Sequence, residues 1–401
     1  MVSTTPFHPR LAALNTTQLW SHWAGFLAAT QYDIAAKHEY FAVRQAVGFF
    51  DASPLYKYEI SGRDAERFLG GIFARDIRTC RPGRAQYTIW CDSDGYVLED
   101  GVVFRHSAND YFLTAAEPNL SFLQNQIGSL EVSVEDVSGE YAMLAIQGPR
   151  SRAALAAIAP EVNDLGYFAH AQSKVAGSEV TVSRTGFTGD LGFELRLPSD
   201  NALAVLDAVM EAGEPHRMVP FGDYALNMLR IEAGLPLINV EFSSSRYAFN
   251  DHERFTPDEL GFGWLLKTID DPSRQFVGRD AILNERATNS SRWRTVGISV
   301  DSGAYDQLFF DAGLIPPKEV PPASWETMLY ADAGERAGYA TSYTYSPMMQ
   351  TQIGIARVRP DLAEPGTTIQ VEQTVNHEYT QSPATVTTMP FFNPERKTAT
   401  A

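Results

Sequence analysis

The sequence is poor in cysteine and in cationic residues. Cys80 and Cys91 are its two cysteines, too few for a disulfide framework, so a reducing cytoplasm is the predicted location. Neither has a histidine or a second cysteine at metal-ligand spacing, so both are predicted to be inert. Against 32 lysines and arginines stand 49 aspartates and glutamates, a net charge of −17. This balance argues against nucleic acid or an anionic membrane as a partner, because phosphate binding requires clustered cations.

Several recognisable kinds of segment are also missing. No apolar run is long enough to cross a bilayer, and the N-terminus lacks a signal-peptide core. The eight histidines show no metal-binding spacing, and neither a phosphate-binding loop nor a nucleophile elbow occurs. What remains is a soluble chain of 401 residues, 44% of them hydrophobic, enough for two or three domains. A chain of this kind often leaves the difficult chemistry to a cofactor.

The most informative stretch is residues 87–104, two β-rich runs around Asp94-Gly95. This dipeptide supplies the positive φ angles of a tight hairpin turn. Because side chains of a strand alternate between two faces, Asp100 is predicted to be the single charged group on its face, and Glu99 lies with Arg105 on the other. The remaining members of the first face are Tyr96, Leu98, Val102 and Phe104. A buried carboxylate is costly unless it is paired or neutral, so Asp100 either serves a function or caps a neighbouring loop through backbone N–H groups.

Hydrophobic spacing predicts mixed helices and strands before residue 285 and short strands after it. Helices are predicted in residues 11–32, where Trp20, Trp23 and Phe26 recur at helical spacing, and in 38–48, 64–76, 150–160, 201–213 and 223–232. Asp200 is expected to cap the fifth of these helices and Gly213 to end it. Strands are predicted in 48–51, 87–104, 111–115, 141–149, 180–183, 193–197 and 261–266, then in 295–300, 326–330, 338–343, 352–358 and 368–371. Residues 285–292 are expected to be a polar, helix-poor boundary and 393–401 a frayed tail.

Three glycines, Gly186, Gly189 and Gly192, superficially suggest a phosphate-binding loop. They lie between two predicted strands and do not open a helix, so the dinucleotide interpretation lacks its structural requirement. A glycine-rich hairpin that lets a ligand approach the backbone is the alternative. Glu194 and Arg196 follow on one strand face, where a solvated ion pair is the simplest account.

The motifs acquire meaning when they are taken together, in order along the chain. They are Ala42-Val-Arg44 with Gly48-Phe-Phe-Asp51, Gly95 with Glu99-Asp100, Gln147-Gly-Pro149, Ser183-Arg-Thr-Gly-Phe-Thr-Gly-Asp-Leu-Gly-Phe-Glu194, Leu229-Arg-Ile-Glu-Ala-Gly-Leu-Pro236, Gly261-Phe-Gly-Trp264 and Phe276-Val-Gly-Arg-Asp280. This series resembles the aminomethyltransferase family, which comprises the T-protein of the glycine cleavage system and its tetrahydrofolate-dependent demethylase relatives. The likeness extends from about Glu39 to Phe392.

The resemblance implies an α+β fold, a three-domain ring around a central folate cavity with a small C-terminal β-barrel. The implied domains are residues 1–52 with 145–245 for folate binding, 53–144 with 246–290 for the catalytic hairpin, and 291–401 for the barrel.

The resemblance also implies roles for individual residues. Asp100 matches the family's catalytic aspartate. Glu194 matches the glutamate that holds the pterin ring, a task that suits a carboxylate because the pterin presents adjacent N–H donors. The weaker candidates are Tyr87, Phe187 and Arg230 for folate binding and Tyr32 for substrate binding. Core packing accounts for Tyr87 equally well, and no metal is implied.

Departures from the family pattern bear on the substrate. Phe187 replaces a tyrosine, Leu226 a folate-contacting arginine and Asn227 the adjacent aspartate, and residues 51–55 and 238–242 also differ from the usual motifs. The expected function is therefore that of a divergent demethylase, which moves a one-carbon group from a small methylated substrate to N5 of tetrahydrofolate. One alternative is the glycine-cleavage aminomethyltransferase, which needs a lipoyl carrier protein. The other is a non-catalytic folate-binding accessory protein, although the Lys-Gly-Cys-Tyr-x-Gly-Gln motif of the iron–sulfur assembly branch is absent.

Overall fold

The structure, a computed structural model, describes residues 2–318, 322, 326–331 and 334–399. Its helices are α1 His8–Leu14, α2 Ala36–Gln45, α3 Ala65–Ile72, α4 Leu120–Asn125, α5 Ser151–Leu155, α6 Ala202–Gly213, α7 Asp223–Glu232, α8 Arg279–Thr288 and α9 Ser302–Asp311. Its first strands are β1 Trp20–Trp23, β2 Phe26–Ala29, β3 Gly48–Asp51, β4 Tyr56–Ser61, β5 Arg84–Cys91, β6 Val97–Arg105, β7 Asp110–Ala115, β8 Ser133–Asp136, β9 Tyr141–Gln147, β10 His170–Val175, β11 Ser178–Ser183, β12 Gly192–Pro198 and β13 Val219–Pro220. The later strands are β14 Arg294–Val300, β15 Thr327–Tyr330, β16 Arg336–Ser346, β17 Thr351–Val358, β18 Thr368–Val375 and β19 Glu378–Thr387.

The strands form two large sheets, a closed barrel and a small hairpin. One sheet has six strands in the order β10-β11-β12-β9-β3-β13, and the other has five in the order β5-β6-β7-β4-β8. Strands β14-β17-β16-β15-β18-β19 close the barrel, and β1 pairs with β2 alone. The α+β class and the C-terminal barrel are confirmed. The proposed domain cut at residue 145 falls inside β9, whose whole length pairs with β12.

Apolar spacing explains the helices that pack against these sheets. In α3, Ala65, Phe68, Leu69 and Ile72 are buried, as their i, i+3, i+4, i+7 pattern predicts. Helix α6 likewise buries Val205, Leu206 and Val209 in the core of the six-stranded sheet and ends at Gly213.

Buried ion pairs join helix α7 to the elements around it. Arg44 Nη2 donates to Glu232 Oε2 at 2.7 Å, and Arg230 Nη1 donates to Glu241 Oε2 at 2.7 Å. The barrel takes part, because the Ser346 hydroxyl donates to Glu232 and Arg230 donates to the Ser342 hydroxyl. Desolvation offsets much of the stability that such pairs provide, but removing one partner leaves an unpaired buried charge. The pairs therefore fix where α7 sits between the six-stranded sheet and the barrel.

The prediction of one helix over residues 11–32 is wrong. Helix α1 ends at Leu14, and Trp20, Trp23 and Phe26 belong to the hairpin β1–β2. A spacing of three suits a helix, but Ala24 and Gly25 adopt φ angles of 48° and 88°, which turn the chain back on itself.

Other local predictions also differ from the structure. Residues 261–266 contain the 3₁₀ helix Gly263–Leu266 and no strand. Asp200 does not cap α6, and α8 extends into the expected helix-poor boundary. Residues 393–399 of the predicted tail are docked rather than frayed, since Arg396 Nε donates to Asp190 Oδ1 at 2.6 Å; residues 400–401 lie outside the described residues. Helix α9 and strand β19 were not predicted. Within the described residues, no helix is long and apolar enough to cross a membrane.

Candidate active site

A cavity of about 1760 Å³ opens at the centre of the molecule. Strands β3, β5, β6, β9 and β12, the start and middle of α7, and the base of the barrel all contribute to its wall. Its size suits an organic ligand larger than a typical drug molecule. Asp100 and Glu194, from different sheets, both line it.

Asp100 reaches the cavity from β6, opposite Ile89 of β5. A register shift in β6 follows this pair: Glu99 is opposite Trp90, but Val97 is opposite Cys91. Leu98 is therefore an extra residue in β6. Leu98 packs in the hydrophobic cluster that contains Trp90, whereas Val97 packs in the cluster that contains Ile89. The prediction that Leu98 shares the face of Asp100 is wrong, because a bulge breaks the alternation.

The surroundings of Asp100 raise the pKa of its carboxyl group towards neutral pH. The Tyr87 hydroxyl donates to Asp100 Oδ2 at 2.8 Å. Burial raises the pKa of Asp100 to about 6, while the hydrogen bond from Tyr87 opposes that rise. The backbone N–H that acts on this carboxylate is its own, and no N–H of a neighbouring loop among the described residues donates to it, so the loop-capping alternative has no support.

Glu99 has a different environment from the predicted one. Arg105 pairs with Glu66 at 2.6 Å instead, and Glu99 accepts the backbone N–H groups of Asp100 and Glu117 at 3.0 and 2.9 Å. Burial and the charge of Asp100 raise the pKa of Glu99. Two neighbouring carboxyls thus compete for ionisation, Asp100 at the cavity wall and Glu99 buried behind it.

Glu194 lies on β12 and points into the same cavity. The Thr185 hydroxyl donates to its Oε2 atom, and burial raises its pKa. No lysine or arginine in the described chain pairs with it. The solvated ion pair is wrong: Arg196 lies 3.6 Å from the Phe112 ring centroid and donates to the Thr181 hydroxyl. Glu194 is therefore a half-buried acceptor with an unused oxygen.

The glycines before Glu194 make room for a side chain. A Cβ added to Gly186 or Gly192 would come within 2.1 or 2.2 Å of the Gln147 amide oxygen. Gln147 itself lines the cavity. The glycines thus let Gln147 lie against the backbone.

The weaker candidates divide into two groups. Tyr87 and Phe187 line the cavity, and Tyr87 stacks on Trp264 at 6.2 Å between ring centroids. Tyr32 is buried in the core of the six-stranded sheet, and Arg230 lies on the buried side of α7. Neither is among the residues that line the cavity, and their contacts with a ligand stay predictions. Arg230 instead holds Asn227, a wall residue, through a 3.1 Å hydrogen bond.

Sequence reasoning missed several charged wall residues, and Asp223 is the one of them on α7. Asp223 lines the cavity at the start of α7, and burial raises its pKa to about 6. Leu226 and Asn227 follow on the same wall. Their i, i+3, i+4 spacing places all three on one helix face, which was the available signal.

Comparisons with known proteins agree with this geometry. Residues 8–269 match the model of the GCVT N-terminal domain, and residues 312–393 match that of the glycine cleavage T-protein C-terminal barrel domain. The chain belongs to the glycine cleavage T-protein family. Among T-protein relatives, the aminomethyltransferase of Caldanaerobacter subterraneus subsp. tengcongensis is 31% identical over 87% of this chain and 86% of its own. That of Saccharopolyspora erythraea is 32% identical over 97% of both chains.

A solved T-protein has the same fold. The crystal structure of glycine cleavage system aminomethyltransferase T from Bartonella henselae superposes with a TM-score of 0.81. It covers 98% of this chain and 99% of its own, at 21% sequence identity. The family resemblance and the α+β fold with its C-terminal barrel are thereby confirmed.

Proposed function

We propose that this T-protein relative transfers a one-carbon group to N5 of tetrahydrofolate bound in the central cavity. The observation that supports this most directly is the pair Asp100 and Glu194. They are half-buried carboxylates from two sheets that face one cavity, and neither has a cationic partner among the described residues. Carboxylates kept in this condition usually meet a ligand.

The residues present suit a reduced folate. Glu194 offers a carboxylate oxygen to the N–H donors of the pterin. Three aromatic side chains line the cavity and can pack against the ligand, those of Tyr87, Phe187 and Trp264. Two wall arginines, Arg75 and Arg84, have no carboxylate partner in the described chain and can receive the acidic end of folate.

The chain's residues then supply alignment and charge. Tetrahydrofolate contributes N5, an amine that is largely neutral and nucleophilic at neutral pH. Asp100, ionised above about pH 6, stabilises positive charge near N5 or accepts its proton. Tyr87 holds the carboxylate in place, and Glu194 fixes the ring.

For the donor, the first candidate is an aminomethyl group on a lipoyl carrier protein. The names of the relatives support it, since those at about a third identity are aminomethyltransferases. The carrier would be the macromolecular partner.

The second candidate is a small methylated compound, which would make the chain a demethylase. Three residues of the cavity wall favour this second donor. Leu226 and Asn227 stand where the resemblance implies arginine and aspartate, and Phe187 stands in place of a tyrosine.

One assay separates these donors. The protein is incubated with tetrahydrofolate and either an aminomethylated lipoyl carrier, with ammonia release measured, or methylated amines, sulfonium compounds and aryl methyl ethers, with methyltetrahydrofolate measured. The Asp100→Asn variant is the matched control for background. Folate binding without turnover on any donor would overturn the transferase proposal and support an accessory role.

We also propose a cytoplasmic location and three units around the cavity. The first proposed boundary belongs before Tyr141, so that β9 stays whole. Limited proteolysis tests the units: cuts between sheets support them, and cuts within β9 contradict them.

A further inference from the structure

Three aromatic rings and one carboxylate meet at the end of the cavity beside α7. Trp23, Phe50, Phe221 and Asp223, called the aromatic corner below, all line the cavity. Phe50 lies 6.1 Å from Trp23 and 5.4 Å from Phe221 between ring centroids. Hairpin β1–β2, strand β3 and the start of α7 bring them together.

The carboxylate of Asp223 has a single hydrogen-bond partner within the described part of the chain. The hydroxyl of Ser21, two residues before Trp23 in β1, donates to Asp223 Oδ2. The carboxylate does not cap its own helix, and no lysine or arginine in the described part of the chain pairs with it. Its other oxygen is available to a ligand, and an unpaired charge of this kind is costly to bury.

The rings of the aromatic corner are also free of protein cations. Elsewhere arginines cover aromatic faces, as Arg357 does at 3.6 Å from the Phe255 centroid. No such contact involves Trp23, Phe50 or Phe221 among the described residues. Aromatic faces with a nearby carboxylate attract a cation that has little hydration to lose, which describes a methylated ammonium.

The remaining wall chemistry points the same way. A primary ammonium has three N–H donors to satisfy, whereas the aromatic corner offers one carboxylate, that of Asp223, among three aromatic rings, with His22 and Asn227 as the polar wall residues nearest to it in sequence. Leu226 packs with Trp23, Phe50 and Phe221 in one cluster. An arginine there would repel a cation, and the leucine contributes methyl contacts instead.

We propose that the aromatic corner binds the quaternary ammonium group of a trimethylated donor. This inference rests on the proposed function, because it names the class of methyl donor. The transfer is balanced without an oxidant. The bond from a methyl carbon to the donor nitrogen breaks and leaves its electron pair on that nitrogen, which becomes a neutral tertiary amine. The methyl carbon bonds to N5 of the acceptor, and the N5 proton passes to Asp100.

Calorimetry without folate tests the aromatic corner directly. The probes are choline, which bears a trimethylammonium group, its uncharged carbon isostere 3,3-dimethylbutan-1-ol, and ethanolamine, which bears a primary ammonium. Choline is expected to bind about tenfold more tightly than either. Asp223→Asn and Trp23→Leu should each weaken choline binding by about tenfold, and Trp23→Phe should retain most of it. Asp200→Asn, a control at an exposed position off the cavity, should bind as the parent does.

Two outcomes overturn the proposal. Equal binding of choline and the isostere would mean that charge plays no part, and tighter binding of ethanolamine would assign the aromatic corner to a primary amine. Folate binding is measured separately on the same protein. Loss of that binding would contradict the proposed function while leaving the choline result interpretable.

Discussion

Asp100 and Asp223 line the same cavity and have similarly raised pKa values, but their neighbouring side chains differ. Burial raises the pKa of each to about 6. Asp100 has the Tyr87 hydroxyl at 2.8 Å and Glu99 next to it in the chain, a setting for exchanging a proton. Asp223 has Ser21 and aromatic rings, a setting for holding a fixed positive charge. Burial sets the pKa, but the contacts around each carboxylate determine its use.

The sharpest test of this contrast is substitution of each aspartate by asparagine. Asp100→Asn should lower kcat by about 10²–10⁴-fold with folate binding retained, because it removes the proton acceptor. Asp223→Asn should instead raise KM for the donor by about tenfold, with kcat nearly unchanged. Steady-state kinetics under saturating folate separate the two parameters. Exchanged effects would reverse the assignment.

Glu194 extends the comparison to a third carboxylate. Glu194→Gln should weaken folate binding by about 10–100-fold, because hydrogen bonds to a charged acceptor contribute about 1.5–3 kcal/mol. Fluorescence titration with tetrahydrofolate measures it. Asp223→Asn is the matched control, since it changes a cavity carboxylate without touching the pterin acceptor. Unchanged folate affinity in Glu194→Gln would exclude it as the ring-holding residue.

Stability should respond alike at Asp100 and Asp223, because both shifts have one cause. A folded-state pKa raised from 3.8 to about 6 means that stability falls as pH rises through that window. Either asparagine variant should therefore be about 1–3 kcal/mol more stable than the parent near pH 8 and equal to it near pH 4. Urea unfolding at the two pH values measures this, with Asp200→Asn as control. A stabilisation that persists at low pH would point to packing rather than ionisation.

How far the sequence predicted each region also differs. Strand alternation and the family motifs both singled out Asp100, because hairpin geometry is local. The bulge at Leu98 was not predicted, because the alternation of side chains between the two faces of a strand assumes an unbroken register. Asp223 was recognised only as a helix start, because its place on the cavity wall depends on hairpin β1–β2 packing over it. That hairpin was itself predicted as a helix, since Trp20 and Trp23 are three residues apart and the turn at Ala24 and Gly25 was overlooked.

The smallest expected effect separates the two carboxylates by their hydroxyl partners. The Tyr87 hydroxyl favours the ionised form of Asp100, so Tyr87→Phe should raise the pKa of Asp100. The acid limb of the kcat profile should then move up by about one pH unit, with little change near pH 8. Ser21→Ala, the matched change beside Asp223, should move the acid limb of the KM profile and leave kcat in place, because Asp223 acts on binding. If both variants moved the same kinetic parameter, the two aspartates would share one role, and the contrast between proton exchange and cation binding would fail.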